Sequence, residues 1–273
     1  MIIAVKHVIL CIVAGGVVLA TGTPALAAPK DPLAALRAQL SPGRGVTLKQ
    51  KTVGRSPSTL ARSGRVQFDR RGIAASDLTG KLSVPGGDGA EQDDGGQAAA
   101  LTKPERTLRV GRTSYVKGGP VGAALPEGRS WFKQSPGWTC GMTAMYGDFV
   151  NAAEPSTLKA LLARSTRKGT TYTGSMSVKD LRRVSAWTRD TLWWQLAAGV
   201  KVHWTLVVSR SGLPRTLTTK LASAKVGMSA TGMKTTYSGW GARVSIKAPP
   251  RSAVTTKLDP EKGGLRLPPA PKR

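Results

Sequence analysis

The nine residues VKVHWTLVV (200–208) constrain this chain more than any other stretch. In an extended backbone Val200, Val202, Trp204, Leu206 and Val208 point one way, while Lys201, His203, Thr205 and Ser209 point the other. A strand with one oily face and one wet face belongs to an antiparallel sheet covered on a single side. Ser211 and Gly212 then supply a turn that sends the chain back.

The two-residue period recurs at 46–53, 64–70 and 73–84, again at 107–116, and as shorter strands at 129–133 and 170–177. In the fourth of these Gly111-Arg112 fits a two-residue hairpin turn with glycine first. The segment 233–250 repeats the theme, with Ala242, Val244, Ile246 and Ala248 alternating against Arg243, Ser245 and Lys247. Helical spacing opens the mature chain at 31–40, where Asp31 can accept from free N–H groups and Leu33, Leu36 and Leu40 share a face. It returns only in the middle: 141–153, 154–165, then 177–187 behind an S-x-x-D box of Ser177 and Asp180, then a helix running to Gly199. Helices therefore interrupt a sheet-rich chain once.

Lys6 precedes an apolar run from Val8 to Ala20, and small residues at Ala25 and Ala27 mark a secretory leader cut after Ala27. The run is too short to cross a bilayer, which takes about 20 residues. Cys11 leaves with the leader and Cys140 stays alone, so no intramolecular disulfide staples the fold and packing must hold it. Residues 28–254 are expected to form one domain. Residues 85–105, acidic and poor in large apolar residues, are expected to be a disordered loop, and 255–273 a disordered tail rich in Pro and Lys.

The formal charge is +26, and Lys6 is the only Lys or Arg that the leader removes. Such a balance attracts acidic partners. The bases are scattered rather than gathered on one helix among exposed aromatics, which points to an anionic membrane or wall surface and away from nucleic acid. A merely solvated basic surface is the plain alternative.

One loop is out of character. Between Tyr115 and Lys133 the chain runs YVKGGPVGAALPEGRSWFK, soft and apolar where a surface connection is normally polar. In this order, SYVKGGPVGAALPEGRSWFK, YTGSMSVKDL, SGLPRTL and YSGWGARVSIKAPP resemble the actinobacterial envelope proteins of the LppX/LprG type, which share the fold of the LolA and LolB carriers. The likeness runs from about Asp31 to Val254. It implies an α+β fold: an antiparallel sheet curled into an open half-barrel, helices on its concave face, and an apolar cavity between them. Residues 118–125 then either border that cavity as a flap or pack as a tight cover. Two features depart from the family. Cys11 sits inside the apolar run behind Leu10 rather than after a small residue, so a soluble exported protein without a lipid anchor is expected, and Ser209 and Ser211 stand where relatives often place an acid.

Catalysis has little to work with, since His203 is the one histidine beyond the leader and no zinc spacing or phosphate-cradling glycine loop appears. The expected function is non-catalytic binding of a lipid or other amphiphile by a monomer, with no cofactor and no metal. The alternative is a basic envelope protein without a cavity, binding wall polymers or a protein partner. Met142, Met145 and Phe149 fall on one helical face and, with Leu162, Leu181, Trp194 and Trp204, are the candidate cavity lining. Plain core is the other reading of that stripe. Val121, Leu125 and Trp131 are the candidate rim. Trp193 and Trp194 are adjacent and cannot both face inward.

Overall fold

The computed structural model describes residues 31–56, 58–83, 100, 102–134, 141–192, 199–221, 232–259 and 261–262. The expected leader, Cys140, Trp193, Trp194, residues 84–99 of the acidic loop and the tail beyond 262 lie outside them.

Among the described residues twelve strands make one open sheet. They are β1 (Arg44–Val53), β2 (Thr59–Phe68), β3 (Ile73–Ser83), β4 (Glu105–Val110), β5 (Thr113–Gly118), β6 (Trp131–Gln134), β7 (Ser165–Lys168), β8 (Thr171–Ser177), β9 (Lys201–Val208), β10 (Pro214–Leu221), β11 (Gly232–Arg243) and β12 (Val254–Thr255). Their order is β12-β6-β5-β4-β3-β2-β1-β11-β10-β9-β8-β7. β1 is the seam. It pairs antiparallel with β2 on one side and with β11 on the other, so two meanders from opposite halves of the chain meet along it.

Six helices occur among the described residues: α1 (Pro32–Arg37), α2 (Gly119–Ala123), α3 (Met142–Met145), α4 (Pro155–Ala163), α5 (Val178–Val184) and α6 (Ala186–Thr191). The caps of α1 and α5 are those the sequence advertises. Asp31 accepts from the N–H groups of Leu33 and Ala34, and the Ser177 hydroxyl accepts from the Asp180 N–H. None is long and apolar enough to cross a membrane.

Strand parity decides which face is covered. Val46 and Leu48, Val66 and Phe68, Leu78, Leu206 and Leu217 point to one side and form a buried core with Leu36, Leu158, Leu161, Leu181 and Trp187 from the helices. That side is concave. Asp190 of α6 bonds Arg109 of β4 at 2.6 Å, yet in a flat sheet β8, which feeds α5 and α6, would lie roughly 34 Å from β4 at the usual strand spacing. The broken helical stretch 178–190 rises only about 20 Å, so the sheet bends into a trough beneath it. The fold is an α+β half-barrel, open at both edges.

Several elements differ from the sequence expectation, among them the helix read toward Gly199, where the described helix is Ala186–Thr191 behind Ser185. The helix read at 141–153 stops after Met145; Asp148 and Asn151 instead turn inward and accept from the N–H groups two residues on, at Val150 and Ala153. Residues 165–168 are a strand that local pattern did not show, paired with β8. The alternation 242–248 does not continue β11: Ala242 and Ala248 are exposed, while Val244 is buried and Ile246 half-buried. The chain from 244 onward is a strap over the convex face, where the Ile246 N–H donates to Gln67 and Ile246, Ala253 and Val254 cover Leu108, Tyr115 and Trp131. It ends in β12, parallel to β6, and the Asp259 N–H donates to the Ala124 carbonyl, so the ordered chain outlasts the expected boundary at 254. At the other boundary β4 already begins at Glu105.

Parity yields a direct test. Leu206→Ala removes a fully buried side chain and is expected to cost about 2–5 kcal/mol in denaturant unfolding, whereas Thr205→Ala, on the exposed face, is expected to cost about 0.5 kcal/mol or less.

Candidate functional site

The concave face carries a second set of buried apolar residues outside the core around Leu48 and Leu206. Leu60 and Leu82 lie at the far ends of β2 and β3, Phe132 on β6, and Val121, Ala124 and Leu125 in and just after α2. Between the two sets runs a polar row. Along β2, Arg62 separates Leu60 from Val66, and along β3, Gly80 separates Leu82 from Leu78. The row extends to Glu105 beside Gly80 on β4 and to Gln50 and Thr235 on β1 and β11.

Each member has a physical reason to be there. Gly80 leaves room: a Cβ at that position would stand 3.1 Å from Cγ of Arg62 and 3.0 Å from Cβ of Thr143. Arg62 therefore lies across β3, and its Nη2 donates to the Thr107 hydroxyl on β4. Glu105 accepts at 2.9 Å from the Met142 N–H, and at 2.7 Å from both the N–H and the hydroxyl of Thr143, which anchors α3 to the sheet. Burial pushes the Glu105 carboxyl up, against those donors and the nearby Arg62 charge. Burial also pulls the Arg62 guanidinium down to about 10, leaving it cationic at neutral pH.

Gly118 and Gly119 explain the soft loop. With φ of 77° and 57° they place the chain where a side chain is strained, and a Cβ on Gly118 would stand 2.3 Å from the Pro104 carbonyl oxygen. The chain then folds into α2 against β5 and β6 instead of swinging outward. Val121 and Leu125 are buried.

Two more buried acids fasten the crossing segment 141–154. Asp148 Oδ1 accepts from Val150 N–H at 3.0 Å and the Thr219 hydroxyl at 3.2 Å, and Oδ2 accepts from the Thr235 hydroxyl at 2.8 Å. Its carboxyl is pushed up to about 7 by burial, the donors opposing. Glu154 accepts from the hydroxyls of Thr157 and Ser185 and from the N–H of Ala186 at 2.8 Å, tying α4 to α6. Asp190, half enclosed against Arg109, is raised to about 6, again by burial first.

The candidate lining residues fall in different places. Met142 and Met145 are half-buried on α3, which packs on β3 and β4. Phe149 is not on their face, since the helix has ended. With Leu162, Leu181 and Trp204 it belongs to the main core, where the Trp204 indole lies over Gly174. Trp194 lies outside the described residues. Trp131 is not a rim residue: it sits on the convex face beneath the strap, with Arg106 and Lys117 over its ring. Sequence reasoning missed the polar row, although the signal was present, because Gln50 and Arg62 share the inward parity of Leu48 and Leu60.

A separate groove of about 450 Å³ opens where α1, the β2–β3 turn and α4 meet. Its lining carries four bases, Arg37, Arg71, Arg109 and Lys159, against two acids, Asp69 and Glu154, over Ile73 and Trp187. Among the described residues no group of three or more His, Cys, Asp or Glu could hold a metal ion.

An open antiparallel half-barrel with helices on its concave face is the class this architecture defines. Among solved structures the chain is similar to the lipoprotein LppX of Mycobacterium tuberculosis, with a TM-score of 0.36 and 12% identity over 79% of this chain and 98% of that one. It is also similar to a LolA superfamily protein of Nitrosomonas europaea, at 0.32 and 12% over 80% and 93% of the two chains. No protein-family model and no curated protein matches it.

Asp148 provides the pH test. Its folded pKa is raised above the unfolded value near 4, so its contribution to stability is complete below about pH 4 and is lost as pH rises toward 7. Asp148→Asn keeps an acceptor for Val150 and Thr219 and a donor toward Thr235. In urea titrations the variant is expected to gain on the natural protein between pH 4 and 8, by a few kcal/mol at most.

Proposed function

We propose that this chain is a non-catalytic, exported protein that binds the apolar part of a lipid or other amphiphile, and carries it in the cell envelope. The observation that carries this reading is the second apolar compartment. Leu60, Leu82, Val121, Leu125 and Phe132 are buried apart from the main core, and the helices that pack on these outer strands, α2 on β5 and β6 and α3 on β3 and β4, are turns of only five and four residues. A roof that short forms few contacts of its own, and Met142 and Met145 can repack around chains of different shape. Each methylene buried there contributes about 0.8 kcal/mol, so a long acyl chain needs few polar contacts to be held.

The basic groove favours a second role for the same molecule. Arg37, Arg71 and Lys159 are exposed over apolar walls, which concentrates positive potential where an anionic membrane or wall polymer can meet it.

Organic extraction and native mass spectrometry of the purified protein test the first role. Stoichiometric lipid is expected, with Leu82→Trp, which adds bulk among these apolar residues, carrying less than a third as much. A folded protein with no extractable lipid, whose adhesion to anionic polymer vanishes with added salt, leaves only the surface role.

A further inference from the structure

Gln50 is anomalous among the buried polar side chains. It is 3% exposed, and among the described residues neither its Oε1 nor its Nε2 has a partner. Four other described side chains have one unpartnered atom each: Trp204 Nε1 and Gln134 Oε1, and one atom each of Asn151 and Arg62, which are bonded through other polar atoms. Asn151 Nδ2 is free, but its Oδ1 accepts from the Ala153 N–H and the Tyr237 hydroxyl; Arg62 Nε is free, but its Nη2 holds Thr107. An unmet amide in a protein interior is costly and rare, because the water it gave up is not replaced. Nothing in the fold requires it: Gln50 sits on the inward parity of β1, where Val46 and Leu48 are apolar. A leucine there would be the cheaper choice for packing alone.

Its surroundings say what would satisfy it. Gln50 is directly opposite Arg62 on β2 and opposite Thr235 on β11, in the row that bounds the second apolar compartment. Thr235 already donates to Asp148, and Arg62 leans across Gly80 toward β4, so neither is spent on the amide. What remains is one acceptor and one donor on the same planar edge, with a further donor, Arg62 Nε, on the neighbouring strand. A carboxylic acid matches that edge: its carbonyl oxygen accepts from Nε2 while its hydroxyl donates to Oε1, and in the ionised form Arg62 supplies the counter-charge.

We propose that Gln50, with Arg62 beside it, receives the carboxyl group of a long-chain acid whose hydrocarbon tail lies in the compartment of Leu60 and Leu82. This rests on the amphiphile-binding reading and specifies its ligand class. The acid enters polar end first, and the polar row is the floor of the site.

The test uses the delipidated full chain and three probes of one length: a C16 fatty acid, its methyl ester and the parent alkane, with the Gln50→Leu and Gln50→Met variants. The natural protein is expected to bind the acid about ten-fold or more tightly than the ester. Both variants are expected to lose that preference, to keep alkane binding within two-fold, and to melt no lower than the natural protein, since they remove an unsatisfied group. Retention of the acid preference by a variant overturns the proposal. So does a drop of several degrees in both melting points, which makes the amide part of a structural water network. Alkane bound with no preference for the acid in the natural protein also overturns it while leaving the compartment intact. Binding of none of the three overturns this proposal and the amphiphile reading together.

Discussion

A carboxylate withdrawn from water has to be surrounded by N–H and O–H donors, and the chain crossing this trough is arranged around three of them. Glu105 reaches up from β4 to take two backbone N–H groups and a hydroxyl at Met142 and Thr143. Asp148 reaches down from the crossing segment to hydroxyls on β10 and β11. Glu154 joins the start of α4 to the start of α6. Hydrophobic burial is nondirectional and would let short helices slide over a sheet, whereas these bonds have fixed partners and fix the register of the cover.

That arrangement divides the concave face. On the side of α4, α5 and α6 the helices carry Leu158, Leu161, Leu181 and Trp187 into a continuous core with β8 to β11 and β1 to β3. On the side of α2 and α3 the cover is two single turns, fastened mainly through Glu105 and the Gly118–Gly119 bend. Segments with few regular hydrogen bonds and small side chains open at lower free energy than the core beside them. The trough thus sets a half covered by longer helices beside a half covered by two short turns, and the proposed binding of an acyl chain would draw on the second. The strap on the convex face contributes by tying the far edge: it pairs with β6 and its Asp259 N–H holds the carbonyl of Ala124, just past α2.

The sheet was legible because its signal is local. Val202, Trp204, Leu206 and Val208 alternate without a break and all are buried as the pattern requires, and Gly111 turns β4 into β5 at the expected place. Helix starts at Asp31 and Ser177 were equally readable from their caps. What failed did so for tertiary reasons. The 141–153 pattern was apolar and helical, but Asp148 and Asn151 are claimed by the sheet below, and Phe149 left the face of Met142 and Met145 with them. Val244 and Ile246 alternate like a strand yet cover the back of the sheet, and Trp131, one residue from inward-facing Phe132, faces the other way. The inward parity of Gln50 and Arg62 was open to inspection, but a polar residue on an apolar face gains meaning only once its partners are known to be missing.

Hydrogen–deuterium exchange, comparing the delipidated protein with the same protein loaded with a long-chain fatty acid, tests this division most directly. The predicted result is added protection at 118–125 and 142–147, with no change at 155–163 or 201–208. Protection that rises equally across both halves, or that changes only at 155–163, would contradict the picture of a firm core beside a liftable roof.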